Sequence, residues 1–266
     1  MDAIWASTEK WFFKINPSLK FATIASLFIV YLFVHNLNTM IWTAVLFAML
    51  YFAVNGLAGK LAFGLLSLIL VFSALSSTAM VFFGKGTHVL FDWYLVVISE
   101  ESLARGILIG LRTFIFSILG LIMASTTEPV PFFYSLMQQL KVPVRYAYGC
   151  LAAFRMLPMM GEELVHIRQA MRVRGLLRKK GMRARYERLK RYTVTMLAQS
   201  IRRAQRTAVA MEAKRFSMSQ SRTFYYEIGW SRYDLYFLVL IFAAAALGFF
   251  LAFWFPLTPY TDVLDQ

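Results

Sequence analysis

Long apolar runs constrain the fold of this chain more than any other feature of its sequence. Five runs of 16 to 23 predominantly apolar residues occur within its 266 residues. At about 1.5 Å per residue, helices of these lengths approach or exceed the ~30 Å hydrocarbon core of a bilayer. Backbone polar groups inside lipid have to be paired within their own segment, so each run is predicted to be an α-helix. We therefore predict an all-α polytopic membrane protein with about five transmembrane helices, at residues 19–34, 37–54, 61–83, 103–124 and 233–255.

The start of the chain carries two shorter signals. Residues 1–18 interleave tryptophan with lysine, which is typical of an amphipathic helix lying in the membrane interface. Only His35 and Asn36 separate the first two apolar runs. This spacing predicts a tight hairpin of two spans, with a re-entrant pair as the alternative.

Residues 88–99 form a third apolar segment that is too short to cross. As a helix, twelve residues would reach only about 18 Å. Asp92 lies within the segment, and Glu100 and Glu101 follow it. We therefore predict an interfacial element on the outer face of the membrane.

Basic residues are concentrated in one third of the chain. Between Lys141 and Arg232 lie 21 of the 28 lysine and arginine residues but only five of the 14 acidic residues. Positively charged segments of membrane proteins tend to stay in the cytoplasm, so this block is predicted to be cytoplasmic. Four preceding spans then place the N-terminus on the same side and the C-terminus outside. The predicted organisation is an interfacial helix (1–18), four spans (19–127), a cytoplasmic domain with two long helices (128–232), and a fifth span with an outer tail (233–266).

Two amphipathic patterns occupy the predicted cytoplasmic domain. Their apolar residues recur in steps of three and four, a period near 3.5 that is typical of helices lying along each other. Pro158 is expected to kink the first helix, and Gly181 marks the turn before the second. The apolar seams comprise Tyr146, Cys150, Ala153, Leu157, Met160, Leu164, Ile167 and Met171, and then Val194, Leu197, Ile201, Ala204, Ala208 and Met211.

Both helical patterns end in similar short sequences. Residues 170–175 read Ala-Met-Arg-Val-Arg-Gly, and residues 210–215 read Ala-Met-Glu-Ala-Lys-Arg. Gly175 stands where many helices end in a left-handed residue, and the exposed carbonyls there favour the cations Arg172 and Arg174. A guanidinium at such an end can bind a carboxylate of another protein through two hydrogen bonds. Solvated arginines at ordinary helix ends are the alternative, which the recurrence at two successive helices disfavours.

One arginine lies deep within a predicted span. Arg112 is far from either end of the apolar run 103–124, and a charge at that depth is costly in lipid. Arg112 is therefore expected to face other helices or a partner rather than to snorkel along the lipid surface.

An ordered set of motifs runs through about residues 106–216. The motifs are Gly110-Leu111-Arg112, Thr126-Thr127-Glu128-Pro129, Leu140-Lys141-Val142-Pro143, Tyr148, Ala153-Phe154-Arg155-Met156-Leu157-Pro158 and Val173-Arg174-Gly175. Together they resemble the transmembrane T component of energy-coupling factor transporters, which are ABC importers for vitamins and transition-metal ions. The resemblance implies an all-helical scaffold in a prokaryotic plasma membrane, with an L-shaped arrangement of spans and long cytoplasmic coupling helices. It also implies structural roles near the coupling region for Arg112, Thr126, Thr127, Pro129, Pro143, Arg155 and Pro158.

By the same resemblance, two Ala-Arg-Gly-like helix ends would dock on a pair of ABC-type ATPase subunits. Those subunits would bind ATP and Mg, and a separate membrane S component would bind the substrate. The ATPase-coupling residues would be Arg172, Val173, Arg174, Gly175, Ala213, Lys214 and Arg215. The second end departs twice from the family pattern, with Lys214 at the arginine position and Arg215 at the glycine position. Lysine keeps the charge but loses the two-pronged geometry, so either Arg215 substitutes in a shifted register or this end couples less tightly.

The residues give little support to catalysis by the chain itself. The acidic residues are scattered, and Glu162 and Glu163 beside His166 fit the wet face of a helix. One cysteine and three histidines offer no metal spacing, and residues 56–60 lack the pattern of a phosphate-binding loop. We therefore expect no enzymatic activity and no cofactor or metal bound by this chain.

Two other functions are kept as alternatives. The basic run would also suit a protein that binds anionic lipid or nucleic acid, although few aromatic residues interleave it for base stacking. A stand-alone carrier is the second alternative, although internal repeats do not support it.

Overall fold

The computed structural model describes residues 11–54, 59–84, 89–93, 96–175, 181–215, 224 and 226–258. Within these ranges the chain forms two compact units. The first comprises Met1–Phe132 and Ile228–Gln266, and the second comprises Phe133–Glu227. The predicted interfacial helix at 1–18 lies largely outside the described residues. Within that range the structure describes a short 3-10 helix at Trp11–Lys14 and the start of the first α-helix at Pro17.

The described regular structure is almost entirely helical, which confirms the predicted fold class. Its elements are α1 (Pro17–Leu32), α2 (Leu37–Val54), α3 (Gly59–Phe83), β1 (Val89–Trp93), β2 (Val96–Ser99), α4 (Glu100–Thr126), α5 (Pro129–Gln138), α6 (Val144–Val173), α7 (Met182–Ala213) and α8 (Arg232–Trp254). Among the described residues, α2, α3, α4 and α8 are long and apolar enough to cross a membrane. With 16 residues, α1 is apolar but shorter. These helices are consistent with about five transmembrane spans.

The apolar segment before α4 contains an antiparallel pair of β-strands. Strands β1 and β2 pair antiparallel, with Trp93 opposite Val96. As a helix this segment would be too short to cross the membrane, but in the structure it forms two strands instead. Ser99 then starts α4 through a capping box, in which its side chain accepts the Ser102 N–H and the Ser102 hydroxyl accepts the Ser99 N–H.

Helix α4 is central to the first unit because it packs against α1, α2 and α3, while α2 also packs against α8. The core between these helices is built from large apolar side chains that are almost fully buried: Tyr31, Phe47, Tyr51, Ile115, Ile118, Leu119, Phe237 and Ile241. Gly248 of α8 permits the close approach to α2, since a Cβ atom at this position would clash with the Thr43 side chain. Gly248 is thus a point of direct contact between α8 and α2.

Polar contacts join neighbouring segments at each of the two ends of the first unit. At one end, Lys20 Nζ donates to the backbone carbonyls of Phe12 at 2.6 Å and Thr126 at 2.9 Å. Nearby in sequence, the Asn16 N–H donates to the buried Asp234 carboxylate at 2.8 Å. At the other end, Asn38 holds the chain after α8 by accepting the Thr258 N–H at 2.8 Å and donating to its carbonyl at 3.0 Å. These buried polar groups are satisfied by one another, as a low-dielectric interior requires.

The second unit contains α6 and α7, the two long helices predicted from the apolar seams. The expectation that the seams pack along each other is met only over a short stretch. On α6, Ile167 and Met171 are buried, and Glu163 forms an ion pair with Arg203 of α7 at 3.7 Å. Most other seam residues are exposed or half-exposed, including Leu157 on α6 and Val194 and Leu197 on α7. A period of 3.5 reveals an apolar stripe but does not say which surface covers it.

Candidate functional site: the ends of α6 and α7

The end of α6 is a left-handed glycine cap. The Arg174 N–H donates to the Ala170 carbonyl at 3.1 Å, and the Gly175 N–H donates to the Arg172 carbonyl at 3.0 Å. Gly175 has a φ of +69°, a conformation that glycine adopts without steric cost. We call residues 172–175 the first tip.

The end of α7 has the same construction. The Lys214 N–H donates to the Ala210 carbonyl at 3.2 Å, and the Arg215 N–H donates to the Glu212 carbonyl at 2.9 Å. Arg215 has a φ of +53°. We call residues 212–215 the second tip.

Because the two tips share one hydrogen-bond pattern, their residues pair one to one. Lys214 occupies the backbone position of Arg174, and Arg215 occupies the left-handed position of Gly175. The sequence left open whether Arg215 replaces the arginine in a shifted register. The backbone geometry places Lys214 there in an unshifted register.

Both tips are fully open to contact. Every residue from 172 to 175 and from 212 to 215 is exposed, and Val173 exposes 89% of its surface. The last carbonyls of each helix carry partial negative charge, which keeps the adjoining cations favourable at the helix end. An exposed aliphatic residue beside a cation at a rigid end suits docking into a groove with an acidic wall.

A groove lies between α6 and α7 within the second unit. Its volume is about 990 Å³, and its walls combine leucine and methionine side chains with Arg168, Arg185 and Arg188. Among the described residues, no cluster of histidine, cysteine, aspartate and glutamate could hold a metal ion.

Comparison with known proteins identifies the family. The family model for the cobalt transport protein CbiQ matches residues 8–226. The chain belongs to the CbiQ family. Similar proteins include the energy-coupling factor transporter transmembrane protein EcfT of Limosilactobacillus fermentum (strain CECT 5716 / Lc40), which is 28% identical over 247 residues that cover 89% of this chain and 91% of the relative. The protein of the same name from Staphylococcus aureus (strain 04-02981) is 28% identical over 251 residues, or 90% and 92% of the two chains. These matches confirm the resemblance on which the assignment of the motifs was based.

The earlier motifs of this CbiQ-family protein lie at helix contacts and helix ends in the first unit. Ser73 of α3 donates to the Gly110 carbonyl at 2.6 Å. Arg112 Nη2 donates to the Val34 carbonyl, in the connection between α1 and α2, at 2.9 Å. The Thr126 carbonyl accepts from Lys20, and Thr127 follows α4 in extended conformation. The Arg112 guanidinium is therefore bonded to the protein backbone and does not only face lipid. Thr126, the last residue of α4, is bonded to the buried Lys20.

The later motifs of the CbiQ-family chain lie at the start of α5, at the start of α6 and along α6. Pro129 is the first residue of α5 and Pro143 is the N-cap of α6, positions at which the missing proline N–H costs no helical hydrogen bond. Pro158 lies inside α6, which continues through it to Val173. Arg155 is exposed on α6. Gly181 precedes α7 with a φ of +114°, in agreement with the predicted turn.

Sequence reasoning missed an aromatic cluster in the second unit. The Tyr134 ring lies 5.4 Å from Tyr226 and 6.4 Å from Tyr148 between ring centroids. Burial raises the pKa of the Tyr134 hydroxyl, and the neighbouring Tyr148 and Tyr226 raise it further. Gln138 donates to the Tyr226 carbonyl at 2.5 Å, which ties the end of α5 to residues that follow α7 by sequence. The sequence singled out only Tyr148, because Tyr134 belongs to another helix, α5, and Tyr226 lies 78 residues further along the chain.

The left-handed residue at the second tip gives a prediction about helix fraying. Replacing Arg215 by glycine should stabilise the last turn of α7 by about 1 kcal/mol, because a left-handed residue with a Cβ atom is strained. Backbone amides in that turn should then exchange with deuterium about fivefold more slowly. The matched variant Gly175→Ala should accelerate exchange in the last turn of α6 by a similar factor. Equal exchange rates in Arg215→Gly and wild type would contradict the assigned backbone conformation.

Proposed function

We propose that the chain is the membrane-embedded T component of an energy-coupling factor importer, and that its two tips dock on two ABC-type ATPase subunits. The observation that carries this proposal is the repetition of one helix-end geometry, with an exposed cation at the same position of both tips. Two unrelated helix ends 40 residues apart are not expected to share both the Ala-Met sequence and the same pattern of cap hydrogen bonds. The names of the EcfT relatives support the same assignment.

The charge distribution supports a cytoplasmic position for both tips. Most lysine and arginine residues lie between Lys141 and Arg232, which includes α6 and α7. By the positive-inside rule this segment lies in the cytoplasm of a prokaryotic cell, where ATPase subunits and ATP are present. The N-terminus would then be cytoplasmic and the C-terminus would lie outside.

Coupling would be mechanical. ATP binding would draw the two ATPase subunits together and move the tips that they hold. Helices α6 and α7, of 30 and 32 residues, would transmit this movement as rigid rods of about 45 Å or more. The ATP and Mg would be bound by the ATPases, and this chain would contribute no catalytic residue.

A separate substrate-binding S component would cover apolar surface that this chain leaves open. The seam residues Leu157, Val194 and Leu197 are more than half exposed, although a helix surface in water normally buries such a stripe. Helix α3 likewise buries little of its apolar surface within the chain. A vitamin or a transition-metal ion would be the cargo, bound by the S component.

Copurification from native membranes tests this proposal. The tagged chain, solubilised in mild detergent and treated with nuclease, should carry two ABC-type ATPase subunits and a further small membrane protein, identified by mass spectrometry. Uptake by reconstituted vesicles should require all of these together with ATP. The proposal fails if the chain alone transports solute, or if the material that copurifies is nucleic acid or lipid without ATPases.

A further inference from the structure

The two tips share a backbone but carry different charges. Their one-to-one pairing matches Arg172 with Glu212 and Val173 with Ala213, and then Arg174 with Lys214 and Gly175 with Arg215. The third position is positive in both tips. The first position is positive in the first tip and negative in the second.

The inverted position is available to a partner. Arg172 and Glu212 are both exposed. In the described ranges, the ion pairs join Arg183 to Glu187 and Arg203 to Glu163, and involve neither tip residue. Both side chains lie two residues before the shared cation, in the last turn of their helix. An acceptor that binds the backbone and the shared cation of either tip therefore meets opposite charges at this position.

We infer that Arg172 and Glu212 determine which acceptor surface each tip selects, an inference that rests on the proposed docking of both tips on ATPases. The acceptor of the first tip presents carboxylates to Arg172 and Arg174. The acceptor of the second tip presents a carboxylate to Lys214 and a cation or hydrogen-bond donor to Glu212. Opposed like charges disfavour the exchanged pairing, so the two acceptor surfaces differ in charge at one position and the tips are not interchangeable.

The left-handed residue adds to this difference. Gly175 presents no side chain beyond the first tip, whereas Arg215 places a second cation directly after Lys214. The acceptor of the second tip therefore has space and negative charge around Arg215. The acceptor of the first tip can instead approach the backbone closely at Gly175. The charge patterns differ at both flanks of the shared cation.

Site-specific photocrosslinking in native membranes tests the inference. Gln169 and Val209 are exposed and lie at equivalent positions one turn before the tips, so a photoreactive amino acid at either position reports the acceptor of one tip. Each tip should crosslink to a different ATPase polypeptide, identified by mass spectrometry. Arg172→Glu should reduce the crosslink from position 169 at least tenfold, and Glu212→Arg should do the same from position 209. The double exchange R172E/E212R should raise crosslinking of each position to the opposite ATPase.

The controls separate this inference from the proposed function. Arg202→Glu reverses an exposed charge in the middle of α7 and should leave both crosslinks unchanged. Equal crosslinking of both positions to the same ATPase polypeptide, unaffected by either reversal, would overturn the inference and leave docking intact. Absence of any ATPase crosslink from both positions would overturn the proposed function itself.

Discussion

Reversing the charge of Arg174 is expected to abolish uptake while the protein still inserts in the membrane. Arg174 is exposed at the end of α6 and its side chain makes no contribution to the core, so an Arg174→Glu variant should reach wild-type abundance. A cation lost from a desolvated contact with a carboxylate costs roughly 2–5 kcal/mol, which corresponds to a weakening of binding by about 30-fold or more. Glutamate adds repulsion to that loss. ATPase copurification and ATP-driven uptake should fall to background together.

Two further variants make this result specific. Arg174→Lys reproduces the chemistry of the second tip, so it should retain partial coupling because it keeps the charge without the two-pronged geometry. Arg202→Glu changes the net charge by the same amount as Arg174→Glu but lies in the middle of α7, and its uptake should match wild type. Wild-type uptake by Arg174→Glu would remove the first tip from the mechanism. A loss of uptake in Arg202→Glu as large as that in Arg174→Glu would show that net charge, and not the tip, is responsible.

The spans could be predicted from the sequence because lipid leaves few choices. An apolar run of 18 or more residues has to pair its own backbone groups, so α2, α3, α4 and α8 follow from length and composition. The segment at 88–99 did not follow in the same way. A short apolar run fits a strand or a helix equally well, so the length of this segment excludes a crossing helix without predicting two paired strands.

The tips were only partly predictable. The repeated Ala-Met sequence indicated two equivalent helix ends, and Gly175 indicated a left-handed cap. The family resemblance put Arg215 at the glycine position but did not predict its backbone conformation, because residues with a Cβ atom seldom adopt the left-handed region. The pairing of Lys214 with Arg174 therefore depended on backbone hydrogen bonds.

Long-range polar contacts were out of reach for a different reason. The sequence predicted no contact for Lys20, yet Lys20 is 1% exposed and bonded to Thr126, 106 residues away. Its position in the sequence, among apolar residues at the start of a span, fits equally well with a snorkelling lysine. Only the fold brings the end of α4 to it.

Replacing Lys20 by methionine is expected to destabilise the first unit strongly. Methionine keeps much of the apolar stem but removes a donor that satisfies the Phe12 carbonyl, the Thr126 carbonyl and, at 3.3 Å, the Thr126 hydroxyl. The Thr126 carbonyl is one of the last four carbonyls of α4, and these carbonyls have no N–H donor within their own helix. Each buried acceptor left unpaired costs about 1–3 kcal/mol, and the buried Asp234 also loses a favourable charge interaction.

A loss of about 3 kcal/mol is therefore expected for Lys20→Met, which should lower the thermal unfolding midpoint in detergent by roughly 5–10 °C. Lys60→Met is the matched control, because Lys60 is exposed at the start of α3 and should shift stability by no more than about 0.5 kcal/mol. Thr126→Ala should have an intermediate effect, since it removes the longest of the three contacts and leaves the backbone carbonyl bonded. If Lys20→Met and Lys60→Met had the same thermal unfolding midpoint, Lys20 could not be the residue that holds α1 against the end of α4. Thr126 is the last residue of α4, from which the chain continues towards α6. Loosening the contact between α1 and this end of α4 should therefore also reduce uptake. ATPase binding, measured on the same membranes, should fall less than uptake.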